Sequence, residues 1–139
     1  MLRRFRIVED SMAPALDDGD WIIASRRTGA VQRGDVVIFD DPTGSGMTLV
    51  KRVIGLPGER VGIEGGRVTL DDAVLADRWA NGATAPDGSW EIPADHVWVL
   101  ADNRRMGGDS RTRGPIPITA IGWKAMWRYW PTAQAGAID

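Results

Sequence analysis

The chain has 139 residues, a net charge of −2 and no cysteine. That length suits one compact domain burying roughly two-thirds of its unfolded surface, without disulfide or metal staples. Lack of cysteine excludes disulfides, a thiolate metal site and a cysteine nucleophile, and the small net charge excludes a general attraction to nucleic acid.

The start, MLRRFRIVED, has a basic flavour but lacks the apolar stretch of a targeting segment. No run approaches the roughly 18 consecutive apolar residues of a helical membrane span, so the chain as it stands is expected to be soluble. Its apolar residues fall in short β-rich runs: FRIV (5–8), WIIAS (21–25), DVVIF (35–39), TLVKRVIGL (48–56), RVTL (67–70) and VWVL (97–100). Turn chemistry separates them in LDDGD, QRGD, DPTGSG, LPGE, EGG and PDGS. Short strands at this spacing predict a mainly β domain, a barrel or sandwich, spanning residues 1–139. The polar stretch 71–95 reads as a small loop-rich cap within it. PITAI (117–121) has room for one helical turn, and IGWKAMWRYWP (121–131) reads as a last strand.

Three features carry candidate chemistry. Ser11, in VEDSMAPALDDGD, is either a nucleophile or a turn serine capping a short helical turn, with Pro14 near its first position. Lys51 shares a strand face with Leu49 and Val53, while Val50, Arg52 and Ile54 share the other. An amine held there loses hydration and its pKa falls from about 10.4, which makes it a base; otherwise it snorkels to water at a sheet edge. His96, the only histidine, follows IPAD at a strand entry and reads as structural. The stretch ADNRRMGGDSRTRGPIP (101–117) carries opposite charges that can lace a long loop to itself through charge-assisted hydrogen bonds. The arginine pairs 3–4, 26–27 and 104–105 are dispersed among acids, against a nucleic-acid surface.

Together SMAPALDDGD, RGDVVIFDDP, LVKRVIGLPGERV and ADNRRMGGDSRTRGPIP occur in order with short spacers, and RYWP follows near the end. From about residue 5 to 131 the chain resembles the type I signal peptidases, serine–lysine endopeptidases that remove signal peptides. The resemblance implies a compact β catalytic domain, Ser11 as nucleophile, Lys51 as general base, and no metal or cofactor. The Ser11 backbone N–H is then an oxyanion donor, and Ile7, Met12, Leu16 and Val50 match positions lining shallow pockets for small side chains, the basis of A-x-A cleavage sites. Asp109 and Arg111 match an ion pair ordering the loop beside the lysine, with Ser110 between them. Asp102, Asn103 and Arg104 match its first half.

Three departures stand out. Glu9 occupies the position where some members carry a hydroxyl that completes the oxyanion hole. Gly107 replaces a hydroxyl that orients the lysine, leaving that task to a water or to Ser110. Ala101 replaces the usual glycine. Members normally carry a transmembrane anchor before the serine and work outside the cytoplasm, whereas here ten residues precede Ser11. Three expectations stand: an anchor lies upstream of the given sequence and the catalytic domain works outside the cytoplasm on signal peptides at a cell membrane; or a short form meets the bilayer peripherally through apolar residues near Ser11 and through Trp123, Trp127 and Trp130; or a soluble relative trims the N-terminal extension of one dedicated protein in the cytoplasm. Trp21 and Trp98 read as core. A self-cleaving repressor-type protease fits less well, because RVIGLPGE and DNR…DSR belong to the signal-peptidase pattern. A weakly active peptide-binding module is the alternative outside the enzymes.

Overall fold

The computed structural model describes residues 1–139. Its larger sheet has eight antiparallel strands: β1 (Leu2–Arg6), β2 (Trp21–Arg26), β3 (Val36–Asp40), β4 (Thr48–Gly55), β9 (His96–Leu100), β10 (Ile116–Pro117), β11 (Ile121–Trp130) and β12 (Gly136–Ala137). They run in the order β1-β2-β11-β3-β4-β9-β10, with β12 beside β11. A smaller sheet, ordered β7-β6-β5-β8, is built from β5 (Arg60–Glu64), β6 (Arg67–Leu70), β7 (Ala73–Val74) and β8 (Gly88–Glu91). One short helix, α1, covers Ser110–Arg113.

The strands form where β-branched residues alternate into one of three apolar clusters. On β3, Val36 and Ile38 join Ile7, Met12 and Leu16 on one face, while Val37 and Phe39 join Leu49, Val53 and Val99 on the other. Likewise on β9, Val97 and Val99 face the second cluster, and Trp98 and Leu100 face the small sheet with Ile54 and Val61. These two strands read as unbroken apolar runs because both faces are buried. β11 serves three neighbours, and register shifts beside Trp123, Trp127 and Trp130 bend it to do so.

The expected mainly β architecture is present, and the turn at 117–121 is a 3-10 turn over Ile118–Ala120. The cap differs from its sequence reading. It begins at Arg60, and it is a four-stranded sheet in which β5 pairs with both β6 and β8. Two glycines obscure β5 and β8 in the sequence. Gly62 interrupts the apolar alternation opposite Thr69, and Gly88 opens β8 where the Trp90 ring lies over it.

Gly55 marks the junction of the two sheets. A Cβ there would stand 2.6 Å from Val61 Cγ2 and 2.9 Å from Trp98 Cβ, both immobile core groups. Gly55→Ala should therefore destabilise the fold by about 1–3 kcal/mol, read as a lower urea midpoint at unchanged slope. An unchanged midpoint would mean that the sheets separate there without cost.

Candidate active site

The β1–β2 ladder continues to Ile7, which exchanges hydrogen bonds with Gly19 and Asp20. Between these points the chain loops outward and back. Met12 and Leu16, joined by a Leu16 N–H to Met12 carbonyl bond of 2.9 Å, plug the loop into the core. No helix forms, and the Ser11 hydroxyl caps nothing. It lies 3.1 Å from the Lys51 amine, 40 residues away in sequence.

Lys51 projects from β4 on the face of Leu49 and Val53, opposite Val37 of β3, and only 5% of it is exposed. Burial is the main influence on its amine and pushes its pKa down. Around it, Asp109 and Glu9 favour the charged form while Arg113 and Arg111 oppose it, so the surrounding charges offset one another and desolvation prevails. Ser110 does not hold Lys51: its hydroxyl accepts the Val99 N–H at 2.9 Å, and the amine's hydrogen bond is to Ser11.

The 101–113 stretch is tied to three other parts of the molecule, more than the self-laced loop its charges suggest. Asp102 forms a two-pronged pair with Arg52 of β4, at 2.9 and 2.8 Å, with both side chains 1% exposed. Arg104 reaches into the cap, where it grips Asp77 at 2.6 and 3.0 Å and Thr84 at 2.8 Å. Asn103 turns to the serine, its backbone N–H donating to the Ser11 carbonyl at 2.9 Å and its amide to the Asp10 carbonyl at 3.2 Å. Asp109 pairs internally with Arg111 at 2.6 Å, caps α1 and accepts the Ala101 N–H at 2.9 Å. Arg111 in turn donates to the carbonyls of Arg104, Met106 and Ala85. Gly107 faces open space and Ala101 is fully buried.

An open cleft of about 370 Å³ runs past Ser11 and Lys51 between the 3–12 and 47–51 segments. Ile7, Met12 and Val50 line it, together with Phe5, Val8 and Met47. Leu16 does not: it is fully buried among Ile22, Val36 and Ile38, under the cleft floor. Glu9 stands on the rim in a left-handed conformation (φ 75°), with its N–H bonded to Asp18 at 2.7 Å. His96 bonds the Ala94 carbonyl at 2.8 Å. No group of three or more His, Cys, Asp or Glu side chains is arranged to hold a metal ion.

Arg52, Asp77, Asn81 and Thr84 are contributors that sequence reasoning overlooked. Arg52 carried a signal, since a cation between Val50 and Ile54 on a buried strand requires a buried acid. Asp77, Asn81 and Thr84 carried none, because their partners lie 20 or more residues away in the 102–111 loop and the serine turn.

Comparison with known proteins agrees with this architecture. A profile of the family described as signal peptidase, peptidase S26, matches residues 1–130. Signal peptidase I of Leptolyngbya laminosa is 34% identical over 146 aligned residues, covering 95% of this chain and 70% of that protein. The human mitochondrial inner membrane protease subunit 1 is 32% identical, covering 91% of this chain and 68% of that protein. The crystal structure of a signal peptidase I from Enterococcus faecalis superposes with a TM-score of 0.60 at 25% identity, covering 68% of this chain and 96% of that one. The chain is thus a serine-type endopeptidase. It belongs to the signal peptidase family, peptidase S26, and its place there is among proteases that process signal peptides.

Burial of Lys51 has a measurable sign. Between its lowered pKa and 10.5 the unfolded chain holds a proton that the folded chain has released, so stability rises with pH across that window. Lys51→Met removes the cost of burying the amine and should stabilise the protein at pH 7 by on the order of 1 kcal/mol. In urea titrations that advantage should shrink as pH approaches 10.5; a pH-independent difference would show that the amine is not desolvated.

Proposed function

We propose that the chain cleaves signal-peptide-like segments after small residues, with Ser11 as nucleophile and Lys51 as general base. The supporting observation is the 3.1 Å contact between the Ser11 hydroxyl and an amine whose burial favours its neutral form. Neutral Lys51 takes the Ser11 proton as Oγ attacks the scissile carbonyl. Negative charge develops on the carbonyl oxygen, and the Ser11 N–H, which has no acceptor within the protein, meets it. Lys51 then gives the proton to the departing amine, leaving an ester at Ser11. A water that loses its proton to Lys51 attacks the ester, and Lys51 returns that proton to Ser11 Oγ as the acyl chain leaves as the acid, which regenerates the pair. Asp102, Asn103 and Arg104, with Asp109, Ser110 and Arg111, serve by fixing the serine turn and the strand ends around Lys51.

Support for small-residue specificity comes from the apolar lining beside Ser11: Ile7, Met12 and Val50 line the cleft, and Ile7 and Met12 are themselves packed in the core with Leu16, which favours a small side chain over one that must displace them. The test is cleavage of a peptide with an Ala-x-Ala junction. Wild type should cut at that junction, Ser11→Ala should not, and Lys51→Arg should lose at least about 10³-fold, because guanidinium keeps its proton at any working pH. Retained turnover in Lys51→Arg would remove the lysine from its role. Bound but uncut peptide, with Ser11→Ala indistinguishable from wild type, would favour the binding module.

A second reading concerns the surface. Met126, Trp127 and Trp130 are exposed on β11, the two tryptophans by 46% and 54%, and indole prefers a membrane interface. Trp123 instead packs edge-on against Phe5. Peripheral membrane contact through Trp127 and Trp130 predicts that the double variant Trp127→Ser/Trp130→Ser cosediments with phosphatidylcholine vesicles about tenfold less than wild type, at unchanged peptide cleavage in free solution. Equal cosedimentation would leave β11 out of any membrane contact.

A further inference from the structure

The turn joining β3 to β4 contains a buried carboxylate that a hairpin does not require. Asp41, directly after β3, accepts the Thr43 N–H at 2.9 Å and hydroxyl at 2.7 Å through one oxygen. Its other oxygen accepts the Ser45 hydroxyl at 2.6 Å and forms an ion pair with Arg113 Nη2 at 3.1 Å. The carboxylate has no exposed surface. Its own N–H donates to the Met47 carbonyl at 2.8 Å and closes the turn. A short polar turn usually needs only Gly, Asn or Asp in solvent, and a desolvated charge is retained only with full hydrogen bonding. The cluster therefore does more than reverse the chain.

Arg113 indicates what that is. It ends α1, the helix that Asp109 caps and that contains Arg111, and its Nη1 donates to the Gly108 carbonyl. Every other side-chain hydrogen bond of residues 41–47 stays within the turn, so Arg113 alone ties the turn to another element through a polar contact. At its far end the turn delivers Met47 and Thr48, which form one wall of the cleft and lead directly to Leu49 and Lys51. Residues 41–47 otherwise make no strand pairing, and Met47 is half-exposed.

We propose that Asp41 and Arg113 are positioning residues that brace the Met47–Thr48 wall of the cleft against α1, so that this wall is preformed when substrate arrives. The inference rests on the cleft being the substrate site. The wall touches the substrate and not the reacting bond, so the brace acts on substrate binding: an unbraced wall must be ordered at the expense of binding. The hydroxyl of Ser45 first, then the Thr43 N–H, hold the Asp41 carboxyl well below the usual carboxylate range, so it stays ionised at any pH at which the enzyme works.

The experiment measures kcat and KM for the Ala-x-Ala peptide with wild type, Asp41→Asn, Arg113→Met, the double variant and Arg113→Lys. Asp41→Asn keeps the shape of the side chain but turns an amide toward Arg113. Each single variant should raise KM about fivefold at a kcat within twofold of wild type, both read on the alkaline plateau of the pH profile, where Lys51 is neutral with or without the Arg113 charge near it, and the double variant should be no worse than either single one. Arg113→Lys, which keeps a cation for Asp41, should return KM to within twofold. Unchanged KM in both single variants would overturn the brace, as would a kcat loss equal to that in kcat/KM, or additive effects in the double variant. Misfolding reveals itself separately, because it lowers the fraction of active enzyme without changing KM. Lack of cleavage by wild type would count against the proposed peptidase; for that outcome, amide exchange at Gly46 and Met47 in Asp41→Asn still tests the brace, with faster exchange expected and unchanged exchange overturning it.

Discussion

Two adjacent cations on a strand buried on both faces impose the constraint around which the site is organised. Lys51 and Arg52 are consecutive on β4, so the pleat sends one into each layer of the core. Both are largely desolvated, Arg52 fully buried and Lys51 meeting solvent only at the cleft. Arg52 remains charged and is matched by Asp102 through two hydrogen bonds, with the Gly34 carbonyl at 2.8 Å and the Trp79 ring completing its surroundings. Removing one partner of such a pair leaves a bare buried charge, typically at a cost of about 3–5 kcal/mol. Lys51 has no carboxylate pressed against it, and burial is relieved by loss of its proton. The same strand thus holds a permanent cation and a switchable one, separated by which face carries an acid.

Meeting Arg52's demand organises the surrounding loop. Once Asp102 is anchored beneath β4, Asn103 is carried to the Ser11 carbonyl and Arg104 to the cap. Asn81 closes the circuit by donating to the Ala13 carbonyl at 3.2 Å, and its own N–H reaches the Asp102 carbonyl at 2.8 Å. The serine turn is therefore held from the loop side and the cap side. Arg128 adds a third tether from β11, donating to Asp20 at 2.8 Å and to the Ala15 carbonyl at 3.1 Å. A serine proposed to react from a turn without a helix needs such external fixing, since the local backbone supplies only a few hydrogen bonds of its own.

The small sheet is structural in this scheme and not merely a covering. Its apolar side, with Val61, Ile63 and Val68, packs on Trp98 and Leu100 of β9, which makes β9 a shared wall between both sheets. The 76–87 segment leaving it carries Asp77, Asn81 and Thr84 to the loop. Packing of one hydrophobic layer thereby delivers polar groups to a site built on another.

By itself the sequence determined β2, β3, β4 and β9 of the main sheet, because they are apolar runs bounded by polar turns, and those local patterns survive in any tertiary context; it placed the first strand at 5–8 where β1 is Leu2–Arg6, and left β10 and β12 unread. It also marked the residues proposed to react, since the serine turn, the lysine strand and the DNR…DSR loop, each open to a structural reading alone, occur together in an order that resembles the signal peptidases. Tertiary structure alone decided that Ser11 and Lys51 meet at 3.1 Å, that Arg52 is the partner of Asp102, and that Ser110 serves Val99 rather than the lysine. It also decided that Leu16 lies below the cleft and that the cap is a sheet starting at Arg60. The reason is physical. Period and turn chemistry depend on neighbours a few residues apart, whereas the polar partners of buried groups are chosen by whichever distant donor or acceptor shares the desolvated space.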